Sequence, residues 1–349
     1  MKSSYHQNDV ILLLKDITGL VEPQPTEERE RLIQSGTHYC EMLPIEYVPT
    51  ETYMNIYNEA LTYFAKPTAD AVGNLAQKII ENKGTEIVLV SLARAGIPIG
   101  ILLKRYIRFK YHLDVTHYSI SIIRGRGIDK NAMNYILKRH RPESIVFVDG
   151  WVGKGAIYNV LKEAVKDFKG VSPDIAVASD PANITDLCGT HEDILIPSSC
   201  LNATVSGLIS RTFLRSDIIG ENDFHGAVYY GELKDRDLSY QFINAIEEHF
   251  TLHPPESHLA PIGSGRDETA AIARHFGIDN IHLVKPGIGE TTRVLLRRVP
   301  HKILIQKSDE NAPQLMPILR LAQEKNVPVE YYPLNHYRAC GIIKKSADL

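Results

Sequence analysis

Apolar runs alternate with stretches of helical periodicity through the middle of this chain. Residues 87–91 form a nearly unbroken apolar run, and apolar positions recur at helical spacing over 97–110. A strand at 116–123, a helix at 131–140, a strand at 144–148, a helix at 156–168 and short strands at 174–179 and 193–197 follow. Strands apolar on both faces and separated by helices predict a parallel sheet covered on both sides. Such sheets bind ligands at the carboxyl ends of their strands. Residues 1–50 have little regular periodicity and predict an extension packed on this domain. A helical pattern over 239–250 runs into Pro254-Pro255, through which a helix cannot continue. That places a boundary at 251–257. Beyond it, a strand at 281–284, a helix at 291–298, a strand at 301–305, a helix at 312–325 and a strand at 327–332 predict a small α/β sandwich. The expected organisation is 1–250, a connector at 251–279, and 280–349. Within the connector, residues 263–267 (GSGRD) are an anion-loop candidate or simply a link.

Composition narrows the class. The chain has 349 residues, 44% apolar and 23% charged, as in soluble globular proteins of about two domains. No apolar run approaches the ~18 residues of a membrane helix, and residues 1–6 open polar, without a secretory leader. A cytoplasmic location and no membrane partner are expected. Four cysteines without a CxxC pair argue against a disulfide framework or a structural zinc site. Charge is unevenly placed: residues 255–349 carry 13 Lys and Arg against 10 Asp and Glu, the remainder 26 against 32. An acidic body with a basic C-terminal module fits a nucleic-acid-binding attachment.

Three loops carry candidate chemistry. After the first strand, Ala93, Arg94, Ala95 and Gly96 offer backbone N–H groups and a guanidinium to an anion. After the third, Asp149, Gly150, Trp151, Val152, Gly153, Lys154 and Gly155 predict a glycine cradle of N–H groups at a helix start, with Lys154 as a point charge. Asp149 at the strand tip is placed to hold ribose hydroxyls or a Mg²⁺-bound water. The cradle fits neither GxxxxGK[ST] nor GxGxxG. After the second strand, Arg124 and Arg126 among glycines predict a cationic lid. Ser179-Asp180, Ser198-Ser199, Asn202, Thr204 and Ser206 are candidates to complete a pocket, Asn202 and Asp180 equally as helix caps.

Together the loops resemble the type I phosphoribosyltransferase fold. That resemblance implies pyrophosphate at Ala93–Gly96 and the 5′-phosphate and ribose of phosphoribosyl pyrophosphate at the cradle, with Mg²⁺ as cofactor. Gly150 stands where that family carries a second acid, and Lys154 and Ile157 where hydroxyls are usual. The segments HYCEM (38–42), VSLARAG (90–96), HYSISIIR (117–124), FVDGW (147–151), LNATVSG (201–207) and DFHGA (223–227) resemble, more closely, the StiP-type family. Its members are regarded as divergent phosphoribosyltransferases found beside tellurite-resistance and stress-response modules. The resemblance covers about 1–245. It implies a phosphoribosyltransferase acting on a nitrogen nucleophile, a homodimer being one possible assembly.

The same family also carries the label cysteine protease. A thiol nucleophile needs a histidine in reach and a lowered pKa. Cys40 with His38, and Cys200 with His191, are the candidate pairs. Residues 280–349 resemble the Pelota-type RNA-binding domain, which implies RNA contacts from Gly287, Gly289, Glu290, Thr292 and Arg293. Gly289 replaces the Asn that would read a base edge, so phosphate and sugar contact is expected rather than base readout. The competing function is a non-catalytic RNA-binding or nucleotide-sensing protein that kept the cradle without the chemistry.

Overall fold

The computed structural model describes residues 1–257 and 260–344; the expected end of the C-terminal domain, 345–349, lies outside the described residues. Six parallel strands form the central sheet: β1 (Ile11–Leu12), β2 (Val88–Leu92), β3 (Thr116–Ile120), β4 (Ile145–Trp151), β5 (Ile175–Ser179) and β6 (Cys188–Thr190). Their spatial order is β1-β3-β2-β4-β5-β6. Successive side chains of a strand point to opposite faces. Leu89, Val146 and Val148 therefore join one cluster with Leu75, Ile79, Ile101 and Phe242. Val88, Val90, Ile145 and Phe147 join another with Met133, Ile136 and Leu161. Helices α1 (Glu51–Lys83), α2 (Gly96–Tyr111) and α5 (Ser239–Glu247) supply the first layer, α3 (Lys130–Leu137) and α4 (Ala156–Ala164) the second. After β2 the chain crosses to β3 on one side, then to β4 on the other. The carboxyl ends of β2 and β4 thus form a topological switch point, where open α/β sheets leave a crevice.

The C-terminal sheet has the order β7-β10-β8-β9, from β7 (Val284–Pro286), β8 (Pro300–Ile305), β9 (Val329–Tyr331) and β10 (Ala339–Ile343). Helix α6 (Gly265–His275) covers one face, where Ile272 and Ala273 meet Val284, Leu304, Cys340 and Ile342. Helices α7 (Ile288–Arg297) and α8 (Met316–Glu324) cover the other. Their side chains Leu295, Ile318 and Leu321, with Ile303 and Ile305 of β8, belong to the same buried cluster as Leu75 and Phe64 of α1. No solvent layer separates the small sheet from the body.

Several expectations shift. The strand expected at 116–123 breaks at Ser121, and Ile122–Ile123 pairs antiparallel with Gly127–Ile128. Arg124 and Arg126 therefore sit on a hairpin. The last strand of the large sheet is Cys188–Thr190, not 193–197. The 33-residue helix α1, with Pro67 inside it, has no counterpart in the sequence expectation. It lies directly on β6, where a Cβ at Gly189 would stand 2.0 Å from the Ala71 carbonyl oxygen. Strand β10, also unexpected, is central in its sheet. The segment expected as a connector contains α6, part of the C-terminal core. Among the described residues, no helix is long and apolar enough to cross a membrane.

Candidate functional site

A cavity of about 590 Å³ lies over the switch point. Its floor comes from both strand tips. The β2–α2 turn, Ala93 to Gly96, approaches β4 so closely that a Cβ at Gly96 would stand 2.4 Å from the Val148 carbonyl oxygen. Only glycine permits that approach. The peptide bond between Ala93 and Arg94 is cis. Arg94 is aimed by two acceptors, donating from Nη1 to the Ile209 carbonyl (2.6 Å) and from Nη2 to Asn202 Oδ1 (3.1 Å).

Asp149 stands at the tip of β4 and lines the cavity. Its Oδ1 accepts from the Gly150 amide at 2.8 Å. Burial pushes its pKa up to about 7, against the opposing pull of Arg293. Unlike most surface carboxylates, it exchanges a proton near neutrality. The cradle follows, with Gly155 at φ +79° capping α4. A Cβ there would stand 2.7 Å from Ile184 Cδ1, whereas one at Gly150 would meet nothing closer than the Ala95 carbonyl oxygen at 3.5 Å.

Lys154 does not point its charge into the cradle as expected. Its Nζ donates to the Ile281 carbonyl (2.8 Å) and the Val284 carbonyl (3.0 Å) of the C-terminal unit. Burial and the nearby Lys285 lower its pKa to about 8. Arg124 lines the cavity, its guanidinium 5.6 Å from the Tyr39 ring centroid. Arg126 does not line it: it pairs with Glu41 at 2.8 Å and faces a separate depression. The two arginines alternate along the hairpin and point apart.

The opposite wall belongs to the C-terminal unit: His282, Lys285, Pro286, Glu290 and Arg293. The start of α7, expected to face RNA in solvent, is docked on the first domain instead. Asp193, buried between the units, accepts from the Ile288 amide at 3.0 Å and the Arg338 amide at 2.9 Å. Its carboxylate thus sits at the positive end of α7. Gly287, at φ +95°, lets the chain turn past Asp193. Gly289 is buried against Ser199 and Leu195. Thr292 is fully buried and donates to the Ile288 carbonyl at 2.8 Å, so its expected RNA contact is withdrawn. Glu290 and Arg293 remain in the cavity, 3.3 Å apart, with Arg293 5.9 Å from the Trp151 ring centroid.

Two further arginines stand near the site, Arg211 in its lining and Arg297 in that of an adjoining space. Arg211 donates to the carbonyls of Tyr39 (2.7 Å) and Met42 (2.9 Å), and Arg297 to that of Cys200 (3.1 Å). Burial first, then neighbouring arginines, lowers each pKa to about 10. The Nε of each is buried without a protein acceptor. Sequence reasoning missed Arg211, Arg297 and Asp193. The polar residues expected to complete the pocket divide: Asn202 lines it, whereas Asp180 accepts from the Ile184 and Thr185 amides and Ser179 donates to Glu192. Loop 263–267 is a docking link, with the Gly265 amide on the Ala182 carbonyl at 3.0 Å.

The four cysteines are buried and free. His38 Nδ1 lies 3.0 Å from Cys40 Sγ, in the 3-10 turn Tyr39–Glu41. Burial raises the Cys40 pKa, with Arg126 opposing. His191 lies against Cys188 (3.2 Å) rather than pairing with Cys200, and burial pushes both thiols up to about 12.

Comparison with known proteins gives two family matches. Residues 3–247 match the model described as tellurite-like stress resistance cysteine protease StiP, and residues 263–345 match the PELOTA RNA binding domain. A curated relative, Cysteine protease StiP of Acinetobacter baylyi, is 37% identical over 362 residues, covering 98% of this chain and 94% of its own. Among solved structures, a hypoxanthine-guanine phosphoribosyltransferase from Bacillus anthracis matches 35% of this chain and 71% of its own at 19% identity. Its TM-score is 0.26.

Proposed function

The chain belongs to the StiP family of stress-resistance proteins, joined to a Pelota RNA-binding domain, and on that premise we propose that it is a phosphoribosyltransferase. It would transfer the phosphoribosyl group of phosphoribosyl pyrophosphate to a nitrogen nucleophile. The observation that carries this is the convergence of Arg94, Asp149, Arg124 and the glycine cradle around one cavity at the switch point.

In this assignment Arg94 and the Ala95 and Gly96 amides take the pyrophosphate, and the cradle from Trp151 to Gly155 takes the 5′-phosphate. Asp149 faces the ribose. Arg124, on its hairpin, closes over the anion. The nitrogen lone pair forms a bond to the anomeric carbon as the bond to pyrophosphate breaks, and that electron pair leaves with pyrophosphate. An oxocarbenium-like transition state gains from a carboxylate beside the ring and cations beside the leaving group. The Asp149 carboxyl, ionising at about 7, is suited to receive the proton that the nitrogen gives up. Among the described residues no group of three or more His, Cys, Asp or Glu gathers as a metal site. A Mg²⁺ would therefore be carried mainly by the diphosphate, whose charge it would neutralise, and would reach Asp149 only through water or substrate, leaving that carboxylate free to take the proton.

A thiol hydrolase is the second reading, favoured by the name of the relative and by the Cys40–His38 contact. Its difficulty is chemical: the Cys40 thiol is fully buried, its pKa is raised, and Sγ lies 3.5 Å from the Leu214 carbonyl oxygen. A nucleophilic thiolate needs the opposite environment.

The test is calorimetric titration with phosphoribosyl pyrophosphate and Mg²⁺ on wild type, Arg94→Ala and Arg124→Ala. Losing a hydrogen bond to a charged group is worth ~1.5–3 kcal/mol, so each variant should bind about 10- to 100-fold more weakly. A folded wild-type protein that does not bind would overturn the proposal.

A further inference from the structure

The switch-point cavity does not end at its own rim. A second space of about 600 Å³ adjoins it, sharing Glu46, Asn202, Lys285, Glu290 and Arg293 as walls. Each space alone has the size of a small-molecule site, ~300–1,000 Å³. Only the first lies over the phosphate loops. The second runs outward between the N-terminal extension and α7, and its chemistry differs. Arg297, with its buried unpartnered Nε, and exposed Arg298 line it. The acids on the shared wall are engaged: Glu290 with Arg293, and Glu46 with the Ala203 amide at 3.0 Å. Tyr47 stands at the mouth, 69% exposed, a large aromatic ring with no role in the fold's core. A positively charged groove with an exposed aromatic platform is what single-stranded nucleic acid requires: cations for the backbone and a ring for base stacking.

We propose that this continuous groove seats single-stranded RNA, with the chain passing Tyr47 and Arg298 and its terminal nucleotide lying beside Trp151 in the switch-point cavity. The residues of the RNA-binding domain that survive as candidates, Glu290 and Arg293, face this groove and not open solvent. The two units therefore contribute opposite walls of one RNA site. That the terminal base is the nitrogen nucleophile rests on the transferase reading above; the seating of RNA does not.

The experiment uses the full chain and two 12-nucleotide single-stranded RNAs, one with 4-thiouridine at the 3′ end and one at the 5′ end. Binding is followed by fluorescence anisotropy, and photo-crosslinked peptides are mapped by mass spectrometry. One of the two RNAs should crosslink within residues 145–158. Tyr47→Ala should weaken binding ~10-fold or more. Arg298→Ala should lower the slope of log K against log salt by about one phosphate contact. Both side chains are exposed, so thermal unfolding should be unchanged, and calorimetry with phosphoribosyl pyrophosphate should not respond to Tyr47→Ala. Crosslinks confined to the outer strand β9, equal competition by a duplex of the same length, or no RNA binding would overturn the proposal. RNA crosslinked in 145–158 by a protein that does not bind phosphoribosyl pyrophosphate would support the groove and sink the transferase instead.

Discussion

Replacing Asp149 by Asn should stabilise the protein at alkaline pH and leave it unchanged in acid. The folded protein holds the Asp149 proton up to about pH 7, whereas an unfolded chain releases it near 3.8. Between those values the native state binds more protons than the unfolded state, so stability falls as pH rises through the window. Above it the penalty is complete. A displacement of this size corresponds to ~4 kcal/mol at most, and water in the adjoining cavity reduces it, so about 1–3 kcal/mol is expected. Asn keeps the acceptor for the Gly150 amide and carries no charge to bury. At ~2.1 cal/mol/K of unfolding entropy per residue, each kcal/mol moves the midpoint of a 349-residue chain by about 1.4 °C. Thermal melts of both proteins at pH 3, 6 and 8 should differ by almost nothing at the first, which lies below both values, and by about 1–4 °C at the last. Asp193, buried and raised to about 6, has the same sign but is common to both proteins and cancels. An equal difference at all three pH values, or a less stable variant at pH 8, would refute the assignment of Asp149 as a carboxyl held out of water.

Other substitutions read other parts of the site. Asp193→Ala leaves the Ile288 and Arg338 amides unpaired at the interface, and should cost about 2–3 kcal/mol and speed proteolysis within 251–264, seen by timed digestion. Gly96→Ala should prevent soluble expression or lower the melting midpoint sharply. Gly150→Ala, whose new methyl meets nothing within 3.4 Å, should melt within about a degree of wild type. None of the four buried thiols should react with iodoacetamide in the native protein at pH 7.5 within minutes; rapid labelling of Cys40, read by mass spectrometry, would revive the thiol hydrolase.

The parallel sheet was legible because strands such as 87–91 and 145–148 are buried on both faces and so lose the alternation of a half-exposed strand. The loops at their tips were legible from their own composition, glycines and a cation directly after each apolar run, whereas the strand order that makes them a switch point was not. Helix α1 escaped because Pro67 and scattered Asn and Thr dilute its apolar stripe, and it packs partly through backbone contact at Gly189. The apolar run 193–197 predicts a strand, yet it is buried without pairing, in the cluster that joins the two units: Leu195 lies against Gly289, and Asp193 against the start of α7. An Asp at the head of an apolar run was the available signal. The aim of Lys154 had no local trace, because its two acceptors are carbonyls more than 120 residues away.

The buried cluster that runs from Phe64 and Leu75 of α1 to Ile303 and Leu321 has a consequence for how this chain can be divided. The seam between the two family matches near residue 255 does not separate energetic units. Cutting there would strip α1 of its cover and open a large apolar face on each fragment. The two halves should therefore melt in one transition, and neither should be transplantable as a free-standing module. An insertion at the seam is tolerable only if the two surfaces still close on each other.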